Sequence, residues 1–277
     1  MKKAILVVSF GTSHLDALEN SIEKIELEIK EKFKGYDIFR AFTSHMIINK
    51  LKRVHNIEID TPEKVLHKLK ELEYDEVLVQ PLHIIPGEEY DYVKGNVIKF
   101  EKYFNIMKFG RPIFFYQGEG ELPNDYSIFI DSISELLKCD EDEGVILFGH
   151  GSYHYSNAVY GALQSMLYDE GYERAFVGTV EGYPTLDSVL KRIEKKNIKK
   201  IKLIPLMVVA GDHVKNDMAS DEEDSWKSIL ESKGIEVNAY VHGLGEKEEF
   251  RKIYLNHVDD MLNDTYLGLG ETKKISK

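Results

Sequence analysis

Short unbroken apolar runs, each closed by glycine or proline and followed by a stretch with helical spacing, recur along the whole chain. Ala4–Val8 is the first; Gly11-Thr12-Ser13 turns, and Leu18, Ile22, Ile25, Leu27 and Ile29 then follow at helical intervals over Leu15–Phe33. An apolar run without polar alternation suits a strand buried on both faces, the usual condition in a parallel sheet. Further strands are predicted at Asp37–Phe42, Glu76–Leu82, Met107–Gly110, Val145–Phe148, Ala175–Val180, Lys200–Val209 and Val237–Val241. Helices are predicted from Asp60-Thr61-Pro62 to Leu72, where a capping residue precedes proline, and at Tyr126–Leu137, Ser156–Glu170, Leu186–Lys195, Trp226–Ser232 and Lys247–Leu262. Thr43–Ile59 reads as irregular, and the charged end is expected to fray. Strand and helix alternate, which predicts an α/β fold with a mainly parallel sheet, because parallel neighbours need crossover helices.

The order also repeats. EVLVQPLHIIPGEEYD (76–91) lies over KIKLIPLMVVAGDHVK (200–215), setting Pro81 on Pro205, Leu82 on Leu206, Gly87 on Gly211, Glu88 on Asp212 and Glu89 on His213. Ala4–Ser13 likewise lies over the strand that runs into His150, with Phe10 on His150, Gly11 on Gly151 and Thr12 on Ser152. This is an internal duplication. It predicts two similar lobes, 1–122 and 123–277, each a mainly parallel sheet flanked by helices, joined near the Gly-, Glu- and Pro-rich stretch Tyr116–Asn124. The last helix is free to pack back on the first lobe, and Glu89 and His213 are expected to face each other across a cleft.

Composition narrows the function classes. At 277 residues with 43% hydrophobic and 30% charged residues the chain is an ordinary globular protein with a sizeable core. A net charge of -12 argues against a general nucleic-acid binder and against attraction to anionic membranes. Cys139 is the only cysteine, so intrachain disulfides, CxxC redox pairs and thiolate metal clusters are excluded. MKKAILVVSF runs straight into a turn with no small-residue cleavage site, and no apolar run approaches the ~18 residues of a membrane span; a cytoplasmic protein is expected.

The candidate chemistry gathers at strand ends, where open α/β sheets bind ligands. In VILFGHGSYHY (145–155) the strand breaks into Gly149-His150-Gly151-Ser152, leaving an imidazole between two glycines with little shielding. Glu181 and His213 stand after two other strands of the same half. Two imidazoles and a carboxylate suit a borderline divalent ion such as Co2+, Fe2+, Ni2+ or Zn2+. Gly11-Thr12-Ser13 opens a helix, so its amides are candidates for an anionic group; without GxGxxG spacing or a P-loop lysine, nucleotide binding is not expected. His83, among Leu82, Ile84 and Ile85, reads as a satisfied core histidine. His154 stands where it could meet a ligand, whereas His14, His45, His55, His67, His242 and His257 show no convergent partners. Arg40, Lys50, Lys52 and Arg53 form the nearest basic cluster for carboxylates, or simply a solvated helix face.

Nearly the whole chain resembles one family. LVVSFGTS (6–13), FRAFTSHMI (39–47), QPLHIIPGEEY (80–90), GHGS (149–152), VGTVEGYP (177–184) and LIPLMVVAGDHVKNDMASDEEDSW (203–226) are similar to the anaerobic cobalt chelatases, the sirohydrochlorin cobaltochelatases of the CbiK family. One departure is Pro86, where a polar residue is expected. The resemblance implies a two-lobed chelatase of the lyase type that inserts Co2+ into sirohydrochlorin, without ATP, on the anaerobic route to cobalamin. It also implies a cleft for the tetrapyrrole, His150 and His213 as the metal pair, and Glu181 or Glu89 as the carboxylate. His150 is then ligand, base or both, and the macrocycle's carboxylates look to Gly11, Thr12, Ser13 and Arg40. Fe2+ or Ni2+ insertion and a non-catalytic metal or tetrapyrrole carrier are the alternatives. A homo-oligomer is compatible with the sequence.

Overall fold

A computed structural model describes residues 1–266; the charged end expected to fray lies, from residue 267 on, outside the described residues. Among the described residues, eight strands form two separate parallel sheets of identical topology: β2-β1-β3-β4, built from β1 (Lys3–Ser9), β2 (Asp37–Phe42), β3 (Glu76–Pro81) and β4 (Ile106–Phe109), and β6-β5-β7-β8, built from β5 (Glu143–Gly149), β6 (Ala175–Thr179), β7 (Lys200–Pro205) and β8 (Glu236–Ala239). The predicted duplication is visible atom by atom. Val8 faces Pro81 and Phe148 faces Pro205 in the register, and Leu82 N–H donates to Val8 O just as Leu206 N–H donates to Phe148 O, both at 2.7 Å. Past the strands, Ile113 N–H donates to His83 O at 3.0 Å and Leu244 N–H to Met207 O at 2.8 Å, again at twin positions.

Strand periodicity divides the core. Ile5 and Val7 of β1 join Val145 and Leu147 of β5 in one cluster that crosses the molecule, while Ala4, Leu6 and Val8 pack on the outer side of the first sheet and Ile146 and Phe148 on the outer side of the second. Alternate residues of one strand thus serve two cores, which is why the strands read as continuous apolar runs. The last helix, Glu248–Leu262, adds Phe250, Tyr254 and Val258 to the shared core and packs on β3. Tyr254 OH donates to Leu82 O at 3.0 Å, and the Arg111 guanidinium, paired with Asp125 and with Asp260 of that helix, holds it in place. Among the described residues no helix is long and apolar enough to cross a membrane.

Three sequence expectations need correction. Residues 43–59 contain a helix, His45–His55, capped by the Ser44 hydroxyl and ended by Asn56 in the left-handed conformation at φ 55°. Ile47, Ile48, Leu51 and Val54 recur along it at helical spacing, and Ile47 and Leu51 are the buried ones. The first helix widens into a π-helical stretch over Leu18–Glu23 before continuing as Lys24–Lys32. The strand expected to reach Val209 stops at Pro205; Met207 and Val208 turn their carbonyls to the amides of Leu244 and Gly245 instead of to a sheet neighbour.

Candidate active site

The lobes enclose a cavity of about 580 Å3 whose wall contains Gly11, Thr12 and Ser13, Glu89, His150, Glu181 and His213, but not Arg40. His150 follows the last residue of β5, and the chain there is held by close backbone approach. Gly151 adopts φ +86°, and a Cβ on it would stand 2.6 Å from the backbone carbonyl of Glu181. Its N–H donates to the buried Tyr160 hydroxyl at 3.3 Å, and desolvation raises that phenol's pKa to about 12, so it stays a neutral partner. Gly11, at the twin position, has φ +95°. Glu181 is attached to the same corner, its N–H donating to His150 O at 2.7 Å.

His150 and His213 meet edge to face, ring centroids 4.5 Å apart. Their hydrogen bonds fix which nitrogen is free. His150 Nδ1 lies 3.0 Å from Gly151 O, and a carbonyl only accepts, so the proton is on Nδ1 and the lone pair on Nε2. His213 Nδ1 lies 2.6 Å from Asp217 Oδ2, which places its lone pair on Nε2 as well. Such hydrogen-bonded orientation of the second ring nitrogen is the usual support of a metal-ligating histidine. Asp217 is a candidate site residue absent from the sequence reading; its signal was the i,i+4 spacing from His213 on a helical turn.

Other placements differ from expectation. His213 is not at a strand end: it opens the helical turn Val214–Met218, eight residues after Pro205, because the chain leaves the sheet at that proline. Among the described residues no three His, Cys, Asp or Glu side chains converge closely enough to enclose an ion, so the cavity wall offers an imidazole pair, with Glu181 and Glu89 on the wall but outside a ready-made trio. Arg40, a candidate for substrate carboxylates, is engaged by Glu26 and Glu23 of the first helix. Lys52 pairs with Glu58 and Lys50 with Asp212.

His14 does have partners. It spans the lobes, with Nε2 at 2.7 Å from Asp212 Oδ1 and Nδ1 at 3.2 Å from Lys215 Nζ. The Lys215 ammonium can only donate, so Nδ1 accepts and Nε2–H donates to Asp212. That hydrogen bond, with Lys50 nearby, holds the Asp212 carboxyl below its ordinary range. Lys215 also reaches Asp16 at 3.1 Å, and His154 stands 3.5 Å from Asp91 of the other lobe. The cavity rim is apolar and aromatic, with Phe10, Met46 and Tyr153 exposed on it.

The sequence profile of the cobalt chelatases, CbiK, matches residues 3–263. The chain belongs to the cobalt chelatase (CbiK) family. It is 38% identical over 264 residues to a sirohydrochlorin cobaltochelatase of Salmonella typhimurium, covering 95% of this chain and 97% of that protein. It is 30% identical over 259 residues to the sirohydrochlorin cobaltochelatase CbiKC of Nitratidesulfovibrio vulgaris, covering 93% and 89% respectively. In fold this chelatase is similar to SirB from Bacillus subtilis with Fe3+, at a TM-score of 0.65 over 96% of this chain and 97% of that one, with 14% identity. It is also similar to CbiX, the terminal enzyme of sirohaem biosynthesis in denitrifying bacteria, at 0.54 over 93% and 98%, again with 14% identity.

Proposed function

We propose that this chelatase inserts Co2+ into sirohydrochlorin in the cytoplasm, without nucleotide, as a step of cobalamin biosynthesis. The observation that carries the reading is the His150–His213 pair, whose two Nδ1 atoms are committed to Gly151 O and Asp217 and whose Nε2 lone pairs are left for an ion in the cavity wall.

An enzyme that passes an ion on must hold it with few ligands, so that positions stay open for the macrocycle nitrogens. Two imidazoles meet that requirement. Glu181 is the better placed carboxylate to complete the set, since its backbone is hydrogen-bonded to that of His150. Co2+ enters as substrate, exchanges part of its water shell for the imidazoles, and is taken up by the pyrrolic nitrogens. When the ion leaves His150, the vacated Nε2 lone pair can accept one of the two pyrrolic protons that insertion displaces, and the second passes to water. The Gly11–Ser13 loop, which lines the cavity at the start of a helix, receives the carboxylates of the substrate within an otherwise acidic protein.

The test is an anaerobic absorbance time course of sirohydrochlorin with catalytic protein and Co2+, Fe2+ or Ni2+, no nucleotide present, beside His150→Ala and His213→Ala. Multiple turnovers with Co2+, lost in both variants while sirohydrochlorin still binds, are expected. A wild-type rate no faster than the spontaneous one with all three metals overturns the enzyme reading.

A further inference from the structure

The N-terminal wall of the cavity carries a histidine that the metal pair does not use. His83 lines the cavity beside Leu82, Ile84 and Ile85, and each of its ring nitrogens exposes less than 1 Å2 and has no hydrogen-bond partner among the described residues. The side chain is half-buried among its apolar neighbours, but its two nitrogens are shut off from solvent and not satisfied. Burial alone pushes its pKa down to about 4, so the ring is neutral at physiological pH, with one N–H to donate and one lone pair to accept. Buried polar groups are nearly always paired in native proteins, and an orphan of this kind calls for an explanation.

The fold does not supply one. The twin of His83 is Met207, and the two backbones are held alike, each carbonyl accepting one amide from a following loop. A thioether fills the equivalent place in the other lobe, so the imidazole is not needed for packing. Nor is an anionic group its natural partner: a carboxylate drawn in among Leu82, Ile84 and Ile85 would lose its hydration to a neutral ring. A tetrapyrrole offers a better match at its centre, where a metal-free ring carries neutral pyrrolic N–H donors.

Resting on the chelatase reading above, we propose that His83 distinguishes metal-free sirohydrochlorin from its metallated product by accepting a hydrogen bond from a pyrrolic N–H that metal insertion removes. A half-turn of the ring about Cβ–Cγ exchanges Nδ1 with Cδ2 and Nε2 with Cε1, which sets a nitrogen where a ring carbon stood. On insertion the N–H bond breaks, its electron pair stays on the pyrrolic nitrogen and binds the cobalt ion, and the proton leaves to a base. His83 is then an orphan again. The product is held less tightly than the substrate, which favours its release after each turnover.

The experiment is a pair of anaerobic titrations of the full chain, one with metal-free sirohydrochlorin and one with cobalt-sirohydrochlorin, comparing wild type with His83→Met, the residue of the twin position. The substrate-over-product preference is expected to fall about tenfold in His83→Met, the size of one buried hydrogen bond left unmade. His83→Gln or His83→Asn, which can still accept from an N–H, should recover part of it. Co2+ binding without tetrapyrrole should be unchanged, and the Tm of His83→Met should equal or exceed that of wild type, because a buried orphan has been removed. An unchanged preference in His83→Met, beside a wild type that turns over, overturns the role of His83 and leaves the chelatase reading intact. A Tm well below wild type also overturns it, since the imidazole would then have a structural partner. Absence of turnover in wild type is the separate failure of the chelatase reading.

Discussion

Asp217 tests whether the imidazole pair is built to hold an ion. Its carboxylate lies 2.6 Å from His213 Nδ1, fixing both the ring orientation and the tautomer that leaves Nε2 bare. The two side chains are 39% and 46% exposed, so solvent screening limits the pair's contribution to folding to less than about 1 kcal/mol. Asp217→Ala should therefore lower the Tm by no more than about 3 °C. Metal binding is a different matter. Without the carboxylate the ring is free to rotate or to carry its proton on Nε2, and loss of such a partner typically weakens metal affinity by about 10- to 100-fold, or about 1.4–2.7 kcal/mol. Asp217→Asn, whose Oδ1 can still accept from Nδ1–H, should lose less than Asp217→Ala. Calorimetric titration with Co2+ reads the affinity, and the insertion assay at saturating sirohydrochlorin reads the consequence for turnover. If Asp217→Ala binds Co2+ as wild type does, or loses sirohydrochlorin affinity to the same extent, the reasoning from ring orientation is refuted.

The other predictions concern the frame around the pair. Gly151→Ala forces a Cβ to within 2.6 Å of the Glu181 backbone at φ +86°, and should cost about 2–4 kcal/mol in urea unfolding, since no side chain can move aside to relieve it. Arg111→Met leaves the Asp125 carboxylate, whose side chain is 1% exposed, without its counter-charge, and a loss of about 3–5 kcal/mol is expected by the same measurement. Stability should also fall in mild acid. The folded pKa of His83, about 4, lies below the unfolded value of 6.5, so the unfolded chain takes up a proton first as the pH drops. Stability is full above about 6.5 and declines by about 3 kcal/mol towards pH 4. Buried His257, whose pKa also falls, adds to the loss, and His83→Met should flatten the stability curve across that interval.

Much of this was legible in the sequence, for reasons that differ by residue. The strands showed because a strand feeding two cores has no polar face to interrupt its apolar run, and His150 because two glycines isolate it at the end of one. The duplication aligned Pro81 with Pro205, which close their strands at the same register. What stayed hidden depends on contacts across large sequence separations. Arg40 is neutralised by Glu23 and Glu26, whose side chains reach it only once the first helix lies against β2. The partners of His14 are about 200 residues away. His83 was placed rightly in apolar surroundings, but a missing hydrogen-bond partner leaves no trace in the order of residues.

The last helix has a consequence for how the protein is made. Tyr254 binds Leu82 O across 172 residues of chain, so the face of β3 that this helix covers stays bare until those residues have been synthesised. At about 5–20 residues per second, roughly 10–35 s separate the emergence of that apolar surface from the arrival of its cover. During that interval the nascent first sheet is a surface for chaperones, and a ribosome that stalls before residue 248 releases a chain that cannot finish its own core.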